Sequence, residues 1–343
     1  MESTSADTKH TSTGNRQKEV AFVHVFTRTR NFPIHLSQHN ETIHFRILGF
    51  PGPSSLQYIL FFLLLITYLL TLLSNSVIIT ITLRERRLHT PMYFYLRNLS
   101  FLEICYVSVI VPKILSTITS HGRYISFYGC MTQFFVFFFL GSTECLLFGI
   151  MAYDRYLAIC KPLHYTKLMS ASMCHGLNVF TIIGGFLTTS PQNMLISQLS
   201  FCGHNINHFF CDAPPLLQLC CEDSNLINLL EFFNASLVIM TSLLMTLVSY
   251  VYIITTIMKI PTTTGRRKTF STCFSHLIVV SIYYSTVTFM YVRPRLSFSF
   301  SLNRVLGVFY TVITPILNPL IYCLRNKDVK EAIKNQMLKQ SSG

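Results

Sequence analysis

Seven long apolar stretches, separated by short polar segments, follow one another from residue 57 to residue 324. Each has close to the ~20 residues that an α-helix needs to cross ~30 Å of hydrocarbon. Lipid cannot satisfy exposed backbone N–H and C=O groups, so stretches this long and continuous predict membrane-spanning helices rather than barrel strands. We therefore expect an all-α membrane protein, a seven-transmembrane helix bundle. The predicted spans are 57–83, 92–116, 130–157, 174–197, 226–258, 271–292 and 303–324.

The composition supports a membrane environment. Of the 343 residues, 50% are hydrophobic and 12% are charged, whereas soluble domains usually carry about 25% charged residues. The net charge of +13 raises the question of nucleic-acid binding. The cations of the bundle, however, lie in the short segments between apolar stretches, which is typical of membrane loops and not of a basic groove. We therefore expect membrane lipid, and no nucleic acid, as a partner.

The basic residues also predict the orientation. Clusters of Lys, Arg and His follow the first, third, fifth and seventh stretches, at 84–89, 161–167, 259–268 and 325–334. All four clusters lie on one side of the membrane, and the positive-inside rule assigns that side to the cytoplasm. Basic residues in the N-terminal tail oppose this assignment mildly, although long tails count less. We expect a multi-pass protein of the plasma membrane with its N-terminus extracellular and its C-terminus cytoplasmic.

The N-terminal tail, residues 1–56, is polar and has no apolar core of a cleavable signal peptide. We expect it to be extracellular, with residues 1–35 disordered. Asn40-Glu41-Thr42 is an N-glycosylation acceptor sequence if this tail lies outside the cell.

The C-terminal residues, 325–343, follow the predicted bundle of residues 57–324. Val329, Ile333 and Met337 recur there at helical spacing, opposite several lysines. This pattern predicts a short amphipathic helix that lies on anionic lipid at the cytoplasmic surface.

The third stretch carries charged residues where a membrane helix should leave the lipid. Asp154, Arg155 and Tyr156 stand in the run Met151–Cys160. Charges at this depth are costly unless they face a bundle interior or water. Asp154 can hold Arg155 in one state and release it in another; the alternative is a purely structural ion pair at the membrane edge.

Two glutamates lie inside the second and third stretches. Glu103 and Glu144 are predicted to reach similar depths, where they would either share a bound cation or be protonated and hydrogen-bonded. Asn75 and Asn318 could supply further oxygen ligands. The residues alone leave both alternatives open.

The seventh stretch contains an unusual combination of Asn318, Pro319 and Tyr322. Pro319 removes a backbone donor and predicts a kink, while Tyr322 lies four residues beyond Asn318 on the same helical face. Proline kinks also occur for structural reasons alone, but this trio near the cytoplasmic end is more specific.

An ordered series of motifs makes the chain resemble the olfactory receptors of the tetrapod (class II) type, within the rhodopsin-like G-protein-coupled receptor superfamily. The resemblance covers about residues 40–335. The motifs are Leu88–Tyr93, Leu99–Glu103, Met151–Cys160, His208–Asp212, Ser249-Tyr250, Lys268–His276 and Pro315–Arg325. It implies a receptor that binds a small, mostly apolar volatile odorant, activates a stimulatory heterotrimeric G protein of the olfactory type and raises cyclic AMP. It implies neither an enzyme nor a cofactor.

Three positions depart from the family pattern. Glu103 stands where most members have aspartate, Ile182 where a tryptophan is usual, and Ser74 where a glycine commonly precedes Asn75. Glu103 keeps the negative charge but has a longer side chain than aspartate, and Ile182 changes the packing of the fourth span.

The resemblance implies two disulfides, Cys130–Cys211 and Cys202–Cys221, with Cys220 as the spare thiol. A competing interpretation makes Cys202, His204, His208 and Cys211 ligands of zinc or copper, since their softness and spacing suit these metals. A Cys211 bridge would remove one of those ligands, so we expect no metal.

The resemblance and the helical phase together predict a ligand pocket in the outer half of the bundle. Its wall should be aromatic and aliphatic, with a few hydroxyls, one amide and no acidic residue to receive an amine. Each aromatic there could instead serve helix packing alone. The predicted lining residues are Phe137, Phe138, Gly141, Ser142, Cys145, Asn234, Val238, Tyr284, Val287, Tyr291, Val308 and Thr311.

The implied mechanism is a population shift, in which the ligand favours the active arrangement. The sixth span, entered at Lys268, would swing outward and free Arg155 for a G-protein α-subunit. Tyr250 and Tyr322 would then fill the space beside Arg155. We expect His276 to reach toward the third helix and lock the resting state.

Two other classes of protein fit the sequence less well. A secondary transporter would favour two related halves with broken helices, and no internal repeat appears. An intramembrane enzyme would need catalytic motifs, and neither HExxH nor GxSxG occurs in the chain.

Overall fold

The computed structural model describes residues 44–119, 123–292, 304, 306–325 and 329–334. Most of these residues are helical. Helices α1, α2 and α3 span Ser54–Arg84, Pro91–Ile118 and Phe127–Cys160; α4, α5 and α6 span Pro162–Leu168, Ala171–Ser197 and Ala213–Leu217; α7, α8 and α9 span Asn225–Met258, Thr263–Tyr291 and Thr314–Arg325. A further helix, α10, covers residues 329–334, a 3₁₀ turn covers Arg86–Leu88, and a π-helix at Phe309–Ile313 leads directly into α9.

Five of these helices, α1, α2, α3, α5 and α7, are long and apolar enough to cross a membrane. Two shorter apolar helical segments, His276–Tyr291 and Leu306–Ile321, match the predicted sixth and seventh spans. The seven-helix bundle predicted from the hydrophobic pattern is therefore confirmed. Helix α10 coincides with the start of the predicted amphipathic helix.

Local sequence explains several helix starts. The hydroxyls of Ser126, Ser170 and Thr262 accept hydrogen bonds from backbone N–H groups three residues later, at 3.2, 3.4 and 3.3 Å. Each bond satisfies one of the donors that a helix start leaves unpaired. Proline opens α2 and α4, where its missing N–H costs nothing.

Helix α3 lies at the centre of the bundle. In its most apolar window 67% of the residues are buried, against 11% in α1, whose outer face exposes large apolar side chains such as Phe62 and Leu63. Exposed apolar faces of this kind suit contact with lipid. Gly185 lets α5 approach α3 closely, because a Cβ there would meet the Phe139 carbonyl oxygen at 3.0 Å.

A small β-sheet covers the end of the bundle where α3 begins. Strand β1, His44–Ile47, pairs antiparallel with β2, Tyr124–Ser126, and parallel with β3, Asn205–Ile206. Phe45 and Ile47 point inward and are fully buried. The sequence did not predict these strands: they are too short for an alternating pattern to identify them, and their pairing joins segments more than 75 residues apart.

The two ends of α3 define the two functional regions. We call the end with β1, β2, β3 and the loop between α5 and α7 the sheet end. The opposite end, with Asp154 and Arg155, is the Arg155 end. Arg155 lies 28 positions after Phe127, which corresponds to about 42 Å of helix at 1.5 Å per residue.

Candidate functional site

A cavity that is partly open to solvent lies between α3, α7 and α8, in the half of the bundle nearer the sheet end. Helix α5 and the π-helix each add one residue to its wall. We call it the main cavity. Its lining residues are Phe138, Gly141, Ser142, Cys145, Gln192, Glu231, Asn234, Ala235, Val238, Ile239, Tyr283, Val287, Tyr291 and Tyr310.

Most of the predicted pocket residues are brought together by the structure. Those that line the main cavity are Phe138, Gly141, Ser142, Cys145, Asn234, Val238, Val287 and Tyr291. The other four, Phe137, Tyr284, Val308 and Thr311, do not line it.

Phe137 and Tyr284 are used for packing between elements. The Phe137 ring lies 4.7 Å from Phe210 and 4.9 Å from Tyr106, between α2 and the loop after α5. The Tyr284 hydroxyl bonds to Ser242 instead, at 2.5 Å. Their chain neighbours, Phe138 and Tyr283, take the wall positions, because adjacent helical residues point about 100° apart.

The π-helix explains the misplaced residues before α9. Helical phase at 3.6 residues per turn predicts Val308 and Thr311, but a π-turn inserts an extra residue and rotates the following side chains. Tyr310 faces the cavity as a result, while Thr311 is buried and its hydroxyl bonds to the Gly307 carbonyl at 2.7 Å. A Cβ at Gly141 would meet the Tyr310 hydroxyl at 2.8 Å, so glycine gives this tyrosine its place.

The wall includes one acidic residue, so the prediction of a wall without one is wrong. Glu231 of α7 lines the cavity and is 6% exposed. It precedes Asn234 by three residues and Val238 by seven, which places all three on one helical face. Extending the predicted lining of α7 by one turn toward the start of the helix would have included Glu231.

A hydrogen-bonded cluster joins the three main helices beside the cavity. The Ser242 hydroxyl of α7 donates to the Cys145 carbonyl of α3 and contacts the Tyr284 hydroxyl of α8. Thr246 lies 3.2 Å from the same tyrosine oxygen. Movement of α8 at this level therefore has to rearrange bonds to α7.

The two predicted intramembrane carboxyl groups are both buried, Glu103 on α2 and Glu144 on α3. Asn318 Nδ2 donates to Glu103 Oε1. Asn75 Nδ2 donates to the carbonyls of Thr71 and Pro315, at 3.0 and 3.4 Å, and so ties α1 to α9. Within the described residues Glu103 Oε2 has no hydrogen-bond partner.

At the Arg155 end, Asp154 is the acceptor for two side chains. Arg155 donates to Asp154 Oδ2, and the Tyr165 hydroxyl of α4 donates to Asp154 Oδ1 at 2.8 Å. Asp154 is 1% exposed. Burial, together with the negative charge of Asp154, raises the pKa of Tyr165 and keeps its phenol protonated as the donor.

His276 of α8 is bonded to α7. Its Nδ1 lies 2.8 Å from the Tyr250 hydroxyl and the two rings stack, while Phe148 of α3 lies 6.4 Å away, ring centre to ring centre. The predicted contact of His276 with α3 is thus a ring contact, and its hydrogen bond goes to Tyr250. Tyr156 packs against Tyr252 of α7, with ring centres 5.6 Å apart.

Some predicted residues fall where the structure gives no description. Asn40 lies outside the described residues, as do residues 1–35, and so do the side chains of Lys268 and Tyr322. Pro319 lies inside α9, one residue after Asn318, as the sequence places it.

The loop between α5 and α7 contains both implied disulfides. Cys130–Cys211 joins this loop to α3 and Cys202–Cys221 closes the loop on itself, with Cα–Cα distances of 5.6 and 5.1 Å. Cys220 keeps its thiol. Since Cys202 and Cys211 are bridged, the alternative of a zinc or copper site is wrong, and no group of three or more His, Cys, Asp and Glu suitable for a metal occurs among the described residues.

His208 in the same loop is buried against aromatic rings. Its ring stacks on Phe209 at 4.3 Å and meets Phe210 at 4.8 Å. Burial, together with the nearby charge of Arg304, lowers the pKa of His208 to about 3. The imidazole is therefore neutral at physiological pH.

Comparisons with known proteins agree with this architecture. The profile of the family "Olfactory receptor" matches residues 64–340. Olfactory receptor 6B1 of Homo sapiens is 46% identical over 308 residues, which cover 90% of this chain and 98% of that protein. Olfactory receptor 226 of Rattus norvegicus is 47% identical, and the match covers 85% of this chain and 91% of that protein. The crystal structure of squid rhodopsin has the same fold, with a TM-score of 0.67 at 17% identity, over 84% of this chain and 82% of that one.

Proposed function

This chain belongs to the olfactory receptor family, and on that premise we propose that it binds its odorant in the main cavity and activates a stimulatory, olfactory-type G protein that raises cyclic AMP. Membership makes it a multi-pass G-protein-coupled receptor with a small-molecule ligand and a G-protein partner, and not an enzyme.

One observation carries the proposal: the helices that form the cavity are the helices that hold the polar contacts at the Arg155 end. Helix α3 carries Ser142 and Arg155, α7 carries Val238 and Tyr250, and α8 carries Val287 and His276. A ligand that changes the spacing of these helices in the cavity therefore acts on both sets of contacts. Rigid helices transmit such a change because packed interiors do not deform continuously.

The wall chemistry supports a small, mostly apolar ligand. Ala235, Val238, Ile239 and Val287 provide aliphatic surface, and aromatic rings complete most of the remainder. Burial of apolar surface supplies the main binding energy in such a site, and a few polar groups fix the orientation.

Activation is a shift between two populations. The resting state is held by Arg155–Asp154–Tyr165 and by Tyr250–His276. Outward movement of α8 separates His276 from Tyr250 and opens a cleft beside Arg155, where a G-protein α-subunit binds. The ligand must bind the open arrangement better than the resting one, because equal affinity would shift nothing. Lys268, Tyr322 and Pro319 belong to the same proposed switch.

The sheet end faces the outside of the cell. Its two disulfides persist in an oxidising compartment. The exposed cations of the other end include Arg84, Arg86 and Lys161, in agreement with the positive-inside rule. Residues 1–56 are then extracellular, with Asn40 available for glycosylation, and residues 325–343 are cytoplasmic.

The carboxyl pair Glu103 and Glu144, with Asn75 and Asn318, is a second candidate site, for a small cation. Glu103 is already bonded to Asn318, and its second oxygen is buried. If a cation binds there, raising the sodium concentration at constant ionic strength lowers agonist potency in the wild type but not in Glu144→Gln. Equal responses of both forms favour protonated carboxyl groups.

The test of the main proposal is cyclic AMP output in cells that carry the olfactory-type stimulatory G protein, over a broad odorant panel. We expect a response that Arg155→Ala abolishes at equal surface level and that Arg86→Ala, at an exposed position of the same end, leaves intact. A response that survives in Arg155→Ala would contradict the mechanism. Solute flux without G-protein activation would favour a transporter.

A further inference from the structure

Four of the polar residues that line the main cavity are linked in two pairs. Gln192 comes from α5, Glu231 and Asn234 from α7, and Tyr291 from the last turn of α8. Asn234 lies within hydrogen-bond range of Gln192, and Glu231 is close enough to Tyr291 for the two side chains to interact electrostatically. We call these four residues the polar cluster.

Asn234 positions Gln192. Its amide Nδ2 donates to the Thr188 carbonyl at 3.0 Å and to Gln192 Oε1 at 3.5 Å. Both N–H groups of Asn234 are thereby directed toward α5. Because Oε1 of Gln192 is the atom turned to Asn234, its Nε2 is directed elsewhere.

Two polar atoms of the cluster are buried without a hydrogen-bond partner in the part of the chain that the structure describes. They are Gln192 Nε2 and the Tyr291 hydroxyl. A buried donor without a partner is unfavourable, and native proteins pair more than nine in ten of such groups. Both side chains line the cavity, so a ligand is placed to complete them.

We propose that the polar cluster recognises the hydroxyl group of a small alcohol or phenol, with the apolar part of the ligand against the aliphatic wall. The ligand oxygen accepts from Gln192 Nε2, and its O–H donates to the Glu231 side chain. Tyr291 bonds to the same oxygen. This inference rests on the proposed function and specifies the ligand class of that site.

The cluster selects a hydroxyl because it offers both a donor and an acceptor. A carbonyl or an ether accepts from Gln192 but has nothing to give Glu231. A protonated amine donates to Glu231 but leaves Gln192 Nε2 without an acceptor. A hydrocarbon leaves Gln192 Nε2 and the Tyr291 hydroxyl buried without a hydrogen-bond partner, which is the strongest ground for rejection.

The test uses matched sets of odorants that share one carbon skeleton and carry a hydroxyl, methyl ether, aldehyde, amine or hydrogen. Cyclic AMP is measured for the wild type, for Glu231→Gln and for Gln192→Met, which keeps the length of the side chain but removes the donor. Glu222→Gln, at an exposed position of the neighbouring loop, is the control. Surface levels are compared for all forms.

We expect the wild type to prefer alcohols over their methyl ethers by about tenfold or more in half-maximal concentration, the ratio that corresponds to one hydrogen bond of about 1.4 kcal/mol. Glu231→Gln should reduce that preference severalfold, Gln192→Met should instead reduce the preference for alcohols over amines, and Glu222→Gln should keep both preferences. A loss of packing alone would weaken all members of a set equally, and this outcome would overturn the proposal. Preference for ethers, amines or hydrocarbons would do the same.

An odorant panel in which no compound raises cyclic AMP also tests both proposals. If no compound acts but basal cyclic AMP exceeds that of untransfected cells and falls in Arg155→Ala, G-protein coupling stands and the hydroxyl proposal is overturned. If basal output too is absent in a receptor that reaches the surface, the proposed function fails with it.

Discussion

The sheet end and the Arg155 end of the bundle are stabilised by different kinds of bond. At the sheet end, two disulfides and the pairing of β1 with β2 and β3 fix the loop between α5 and α7. At the Arg155 end, the described contacts between functional residues are hydrogen bonds and one ion pair, centred on Asp154 and on His276.

This difference assigns different tasks to the two ends. Uncatalysed disulfide exchange is much slower than signalling, so the two bridges can keep the sheet end in one geometry. Side-chain bonds worth about 1 kcal/mol each open and close readily, and a ligand can offset them. Substitutions at the sheet end should therefore affect folding, and those at the Arg155 end should affect basal activity.

The largest effect is expected from loss of the disulfide that ties the loop to α3. Cys130→Ser should destabilise the protein by about 2–5 kcal/mol and greatly reduce its amount at the cell surface. Surface staining measures this. Cys220→Ser, which removes a thiol outside both bridges, should retain wild-type levels. Equal staining of the two variants would contradict the structural role of the bridge.

The next effect concerns the bond between α7 and α8. His276→Phe keeps the aromatic ring but removes the 2.8 Å contact with the Tyr250 hydroxyl. Loss of about 1 kcal/mol from the resting state should raise basal cyclic AMP about fivefold. His175→Phe, at an exposed position of α5, serves as the control. Unchanged basal output would remove His276 from the switch.

A smaller effect is expected at Asp154. Tyr165→Phe removes the hydrogen bond to Asp154 Oδ1 but leaves the Arg155 contact in place. Because Tyr165 is partly exposed, we expect basal cyclic AMP to rise only about twofold. Tyr153→Phe, on the exposed side of α3, should change nothing. If basal output fell instead, Tyr165 would belong to the active state.

The smallest effect is a dependence of the protein's stability on pH, which arises from His208 at the sheet end. The pKa of His208 is about 3 in the folded protein against 6.5 as its ordinary value, so the unfolded chain takes up a proton first. The contribution of neutral His208 to the free energy of unfolding is fully present above pH 6.5 and is lost as the pH falls toward about 3.

Thermal unfolding of the detergent-purified receptor between pH 7 and pH 5 tests this expectation. The midpoint should fall by a few degrees in the wild type and less in His208→Phe. His204→Phe, at an exposed position of the same loop, should behave as the wild type. Identical pH profiles for His208→Phe and the wild type would show that other groups cause the acid sensitivity.

Much of the candidate site could be predicted because helical periodicity is regular within α3 and α7. Phe138, Gly141, Ser142 and Cys145 follow one face of a straight helix, and the structure keeps them together. The prediction failed where periodicity changes, at the π-helix, so Tyr310 and not Val308 or Thr311 reaches the wall. Tyr283 lines the cavity in place of the predicted Tyr284, which corresponds to a shift of one residue in the helical phase of α8. Hydrophobicity alone cannot decide between them, because both are tyrosines.

The sequence by itself determined the number and order of the membrane helices, because burial in lipid is a local requirement that each stretch meets alone. Its motifs also determined the family. Only the tertiary structure decided that Glu231 and Gln192 share one cavity wall, that β1 pairs with strands distant in the chain, and that His276 bonds to Tyr250. These contacts join different helices and loops, and the packing of the whole bundle sets the distances between them.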